Sequence, residues 1–277
     1  MIYFAAVAAG IRRGRKTKAI RERRRTHTKP ERYYGLGLAR RGAPTGIPLG
    51  HLGKVPGRIT WVTFLSFWLI VAALATEYFP VRGAELARHP WQAAFAASAL
   101  LYALFGAQAL IRAAIARLIQ VTPEEITLLL SGPVVRFRPS SAWKEVVLAL
   151  LGPITSFGFA AAAYGIAALL LTLGRSELGA SIFFWVAGMN LFLGLLHLLP
   201  AAPLDGASIV AAAARLNKRE AASMSFLSRS ARALPFGLII VGTVLILVGA
   251  YLAGLLLAGI AIDLFRLEAP PAAAEKP

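Results

Sequence analysis

Residues 190–206 read NLFLGLLHLLPAAPLDG. Proline cannot continue a helix, so the apolar run from about 180 must break at Pro200 and Pro203 and resume to about Arg215. Just past the break stands a carboxylate, Asp205. An ionisable group inside such a run is costly in a bilayer and marks a site more often than it occurs by chance.

The rest of the chain reads as membrane protein around this segment. Of 277 residues, 57% are hydrophobic and only 16% charged, and the mean hydropathy is +0.64. Soluble domains are roughly 45–50% apolar. The net charge of +17 is local: residues 1–58 hold 15 Lys and Arg against 2 Asp and Glu. Within them, residues 11–32 carry 11 basic side chains, the pattern of a solvated, disordered arm. Basic residues 11–41 also suit an anionic lipid surface. Nucleic acid is disfavoured, because no aromatic residues interleave the basics as stacking platforms. Zero cysteines exclude disulfides, thiolate metal sites and Cys nucleophiles, and four histidines exclude a His-rich centre.

Apolar runs at 60–78, 91–120, 142–173 and 180–199 each suit one span. The run at 233–267 is too long for one crossing and is expected to turn near 249–252. Breakers at Pro123, Gly132, Pro133 and Pro139 cut residues 121–139 into two short strands joined at Ser131 and Gly132. The expected fold is an all-α polytopic membrane protein: six transmembrane helices with a small cytoplasm-side β-hairpin between helices 2 and 3. The expected divisions are a disordered arm (1–58), a six-span membrane domain (59–267) and a disordered tail (268–277). Alternate loops carry the Lys and Arg, which places both termini in the cytoplasm and the chain in the inner membrane.

The text at 190–206 resembles the N-x-x-L-x-x-x-N-L-L-P-x-x-P-L-D-G signature of the site-2 protease family, the intramembrane zinc metalloproteases. Other segments are similar in order: residues 52–61 to the family's lead-in to its first span, 121–128 with Gly132 to its β-hairpin, and 140–145 with Gly152 and Pro153 to the opening of its third span. The resemblance covers about 46–267.

In the family, the second span carries H-E-x-x-H. Two His at i and i+4 share a helix face and bind zinc, the Glu is general base, and the Asp of P-L-D-G is the third ligand. The text Ala116-Arg117-Leu118-Ile119-Gln120-Val121 resembles the family's residues just after that motif and sets its window at 108–112. Gln108 and Arg112 then stand at the two His positions and Ala109 at the Glu. Ser156 stands where the family often has Asn, His197 where it has Asn, and Ala207 where it has Gly.

The resemblance therefore implies the family fold with no catalytic residue, no metal ligand set and no zinc. The former metal site and client groove would be Asp205, Asn190, His197, Pro203, Gly206 and Ser156. His197 reads as a buried hydrogen-bonded histidine or a substitute ligand. Arg112 reads as a counter-charge to Asp205, with Gln108 adding a hydrogen bond to it. Alternatively, Arg112 snorkels to the interface and Asp205 is protonated or solvated.

The implied function is that of a pseudoprotease binding a transmembrane client, an active relative or a second copy of itself. An active zinc protease using non-standard ligands is the alternative, opposed by a second span without Glu or His. A small-molecule carrier is third, opposed by the absence of internal repeats.

Overall fold

The computed structural model describes residues 46–52, 54–137, 139–201, 204–217 and 220–268. Residues 1–45 of the basic arm, with the basic residues 11–41 expected to meet lipid, lie outside them, as do Pro203 and most of the C-terminal tail.

The described chain opens with two strands, β1 (Gly46–Leu52) and β2 (Val55–Thr60). Residues 46–58 were expected in the disordered arm and instead form an antiparallel pair. The cause is tertiary. Strand β2 also pairs, in parallel, with β3 (Pro123–Leu129), and β3 pairs antiparallel with β4 (Gly132–Phe137). The expected hairpin is thus half of a four-stranded sheet in the order β1-β2-β3-β4. Glu125 ties three strands by accepting from Arg58 Nε at 3.1 Å and Arg136 Nη1 at 3.3 Å. Local apolar patterning could not reveal this pair, because the strand it docks on, β3, lies over sixty residues away from β2.

Helix α1 (Trp61–Ala73) leaves β2 directly, with Thr60 Oγ1 accepting from the Thr63 amide at 3.2 Å as N-cap. It widens into a π-turn at Leu74–Tyr78. A short helix α2 (Ala84–Arg88) interrupts the polar link, and α3 (Pro90–Leu118) starts on a proline, whose missing N–H costs nothing in a first turn. Helices α4 (Ala142–Thr172) and α5 (Glu177–His197) follow the sheet, and α5 is capped by Ser176. After the break at Pro200 comes α6 (Asp205–Leu216).

Helix α7 (Glu220–Leu247) begins well before 233, where the last apolar run starts. The charge of the Ser- and Arg-rich stretch before 233 suggests a loop. It is helical, and its arginines fold back on their own helix: Arg229 Nε donates to the Ser225 carbonyl and Arg232 Nε to that of Ser228, both at 3.2 Å. Helix α8 (Tyr251–Glu268) follows a turn with Gly249 at φ 91°, where the expected turn falls.

Among the described residues, five helices are long and apolar enough to cross a membrane: Trp61–Tyr78, Pro90–Leu118, Ala142–Thr172, Glu177–His197 and Ser225–Leu247. A shorter apolar stretch, Ala253–Phe265, lies in α8. The chain is a multi-pass membrane protein.

Packing between these helices uses aromatics and glycines. Phe67 of α1 meets Phe95 and Tyr102 of α3 edge-on, at 5.7 and 5.3 Å between ring centres. The Tyr102 hydroxyl donates to the Thr63 carbonyl at 3.0 Å, satisfying its polar end inside the apolar layer. Gly194 of α5 admits the Phe157 ring of α4, which would lie 2.6 Å from any Cβ at that position. Helices α3, α4 and α5 meet the start of α6 at Asp205, through Arg112, Gly152 and His197.

Candidate functional site

Gln108 and Arg112 lie four residues apart on α3, so both project from one face of that helix. The face points inward: both are buried. The family's metal sits on such an i, i+4 pair, and here the pair does something else.

Arg112 reaches Asp205 at the start of α6 as a fork. Its Nη2 donates to Oδ1 at 2.7 Å and its Nη1 to Oδ2 at 3.3 Å. Bidentate, charge-assisted contacts of this kind are the strong class of hydrogen bond. The counter-charge reading of Arg112 is the one the geometry has, and the interfacial one is not. Nη2 also donates to the Leu148 carbonyl at 3.4 Å.

His197 closes the other side of Asp205. Its Nδ1 lies 3.0 Å from Oδ2, and its Nε2 lies 2.8 Å from the Ser131 carbonyl at the hairpin tip. Each ring nitrogen therefore faces an oxygen. Gln108 does not reach Asp205, contrary to expectation. Its Nε2 donates to the Gly152 carbonyl at 2.8 Å and to Ser156 Oγ at 3.1 Å, both on α4. The Gly152 carbonyl also accepts from Thr155 Oγ1 of its own helix at 3.0 Å. Ala109 is fully buried.

The other expected residues divide. Ser156 joins the cluster through Gln108. Asn190 is buried on α5 and donates to the Val186 carbonyl one turn back, at 2.9 Å. Gly206 is needed for space, because a Cβ there would meet the main-chain carbon of Leu198 at 2.6 Å. An ion pair and a hydrogen bond to a buried carboxylate escaped sequence reading. Arg215 at the end of α6 pairs with buried Glu145 in the first turn of α4. Asp263 of α8, 1% exposed, accepts from the Leu130 amide at 3.0 Å. A lone acid in an apolar run was the available signal for Asp263, by the same cost argument that singled out Asp205.

Gly152 shows how tightly the site is filled. A Cβ there would press on the Asp205 carboxylate and lie 3.2 Å from Arg112 Nη1. Gly152→Ala is expected to destabilise the protein by about 1–3 kcal/mol, the range for overpacking. Denaturant titration in detergent would check this, and a neutral result would mean the site is looser than its geometry.

No protein-family model matches the chain. Proteins named as zinc metalloprotease Rip3 in two Mycobacterium tuberculosis strains, Erdman and H37Rv, are each 32% identical to it over 171 residues. The matched part is 60% of this chain and 43% of those relatives, so the chain spans less than half their length. The solved Site-2 Protease from Methanocaldococcus jannaschii shares the fold, with a TM-score of 0.58 over 84% of this chain and 100% of that one, at 18% identity.

The chain is similar in sequence to these metalloproteases and has the site-2 protease fold.

A site-2 protease metal centre needs unprotonated nitrogen and carboxylate donors directed at one point. The residues present do not fit that need. Asp205 already faces N–H groups of Arg112 and Nδ1 of His197, Gln108 directs its amide N–H groups at oxygens, and Arg112 brings a positive charge that repels a cation. Among the described residues, no three His, Cys, Asp or Glu side chains are grouped as a metal site would require.

Proposed function

We propose that this chain is a member of the site-2 protease family and a pseudoprotease, which holds no zinc and binds a transmembrane client or partner instead of cleaving it. The observation carrying this reading is the Arg112–Asp205 fork. The one metal-ligand position still acidic in this chain engages both carboxylate oxygens with a fixed cation. With Ala109 at the position of the family's general base, neither a Lewis acid nor a base is available to activate water. In this reading α8 is the sixth span, the sheet lies at the cytoplasmic face and both termini are cytoplasmic, in the inner membrane. The alternation of basic loops supports that orientation. The basic residues 11–41 would then meet anionic headgroups. The partner would be a transmembrane protein, an active relative or a second copy.

The rival reading is an active intramembrane zinc protease with non-standard ligands, which the name of the mycobacterial relatives favours. One experiment separates them. Purified protein is expected to carry no stoichiometric zinc and to leave transmembrane peptides intact. Zinc near one equivalent, removed by a chelator with loss of cleavage, would establish the rival.

A further inference from the structure

Hairpin tips normally face water, because the polar groups of a turn backbone need partners. The tip between β3 and β4 does not: residues 128–133 are all buried. Side chains of three separate helices satisfy its backbone. The Leu130 amide donates to Asp263 of α8 at 3.0 Å. The Ser131 carbonyl faces His197 of α5 at 2.8 Å. The Pro133 carbonyl faces Arg112 of α3 at 3.5 Å. Two glycines allow the approach. Gly132 takes a φ of 121°, and a Cβ on it would lie 3.1 Å from His197 Nε2. A Cβ on Gly259 of α8 would lie 2.8 Å from Leu130 Cδ2.

The contacts are not equivalent. Arg112 and His197 are both held by Asp205, so they keep their places whether or not the tip is present. The Arg112 contact to the tip is also long for a hydrogen bond. Asp263 contacts the tip from the last helix, independently of Asp205.

We propose that residues 130–133 are a latched plug: a segment of this chain that occupies the Arg112–His197 cluster, with Asp263 as the latch. Arg112 and His197 present side-chain nitrogens to backbone carbonyls at the tip. They currently bind the chain's own carbonyls. Releasing the tip would offer the same nitrogens to an extended backbone segment of a client, a consequence that rests on the client-binding reading above, whereas the latch itself does not.

The chain has no cysteine, so single cysteines report on it directly. The test uses the full chain in liposomes and the rate of N-ethylmaleimide labelling. A cysteine introduced by Ser131→Cys should label far more slowly than one introduced by Ser140→Cys, an exposed position outside the tip. Adding Asp263→Ala should raise the rate at 131 by about 10- to 100-fold, the effect on a local opening of losing one hydrogen bond to a charged group. Asp263→Asn keeps a neutral acceptor and should fall between. Ser98→Cys, fully buried in the middle of α3, should stay slow in every background.

Fast labelling at 131 in the unaltered background would overturn the plug. An unchanged rate in Asp263→Ala would overturn the latch. Equal acceleration at 98 and 131 would show general loosening of the fold and overturn local release. None of these readouts involves a client or zinc, so failure here and failure of the pseudoprotease reading are distinguishable.

Discussion

Arg112→Ala and Asp205→Ala are each expected to destabilise the fold by about 3–5 kcal/mol, the cost of leaving one partner of a buried pair uncompensated. The two should not be equal. Without Arg112, Asp205 still faces His197 Nδ1 at 3.0 Å. Without Asp205, Arg112 loses its anion and His197 loses its Nδ1 partner as well. Asp205→Ala should therefore be the worse variant. The double variant should lose less than the sum of the two, by about 0.5–3 kcal/mol, because removing both charges strands only His197. Denaturant titrations of the four proteins in one detergent would measure the cycle. Strict additivity would mean that the fork carries no coupling and that Arg112 has not taken over the metal's role as counter-charge.

The second large effect is a gain. The triple variant Gln108→His, Ala109→Glu, Arg112→His restores H-E-x-x-H on a helix that already presents positions 108 and 112 to the buried cluster around Asp205. The substitution removes the cation and frees the Asp205 carboxylate. His197 would still contact Oδ2 and hold the carboxylate in orientation, as hydrogen-bond partners of metal ligands do. The triple variant should hold about one equivalent of zinc, since three ligands with an open fourth position make a complete catalytic-type site. Metal analysis after dialysis is the readout, with Asp205→Ala in the triple background as control. If the triple variant folds and still holds no zinc, the cluster has drifted too far from the family geometry for three ligands to meet.

Much of this protein was legible without coordinates. The lengths of the apolar runs placed the first four long helices to within a few residues, because a bilayer imposes a minimum length and breakers mark the ends. The cost of charge in an apolar layer singled out Asp205, and the resemblance set Arg112 near it, with an interfacial Arg112 left as the alternative. The spacing of 108 and 112 put both on one face. Each of these is a local property or a property of one residue against its solvent.

What the sequence could not determine depends on which distant segments touch. Strands β1 and β2 carry little pattern of their own and exist because β3 offers a parallel edge. Gln108 had two oxygens within its reach in principle, the Asp205 carboxylate and the Gly152 carbonyl, and only helix packing chose the second. The charges before 233 suggested a loop, but continuation of the helix into α7 absorbed them. The burial of the hairpin tip and its three partners was decided last of all, since it requires α3, α5 and α8 to converge on one turn. Hydrogen-bond partners are set to within tenths of an ångström, a precision that residue spacing along a chain does not carry and tertiary packing does.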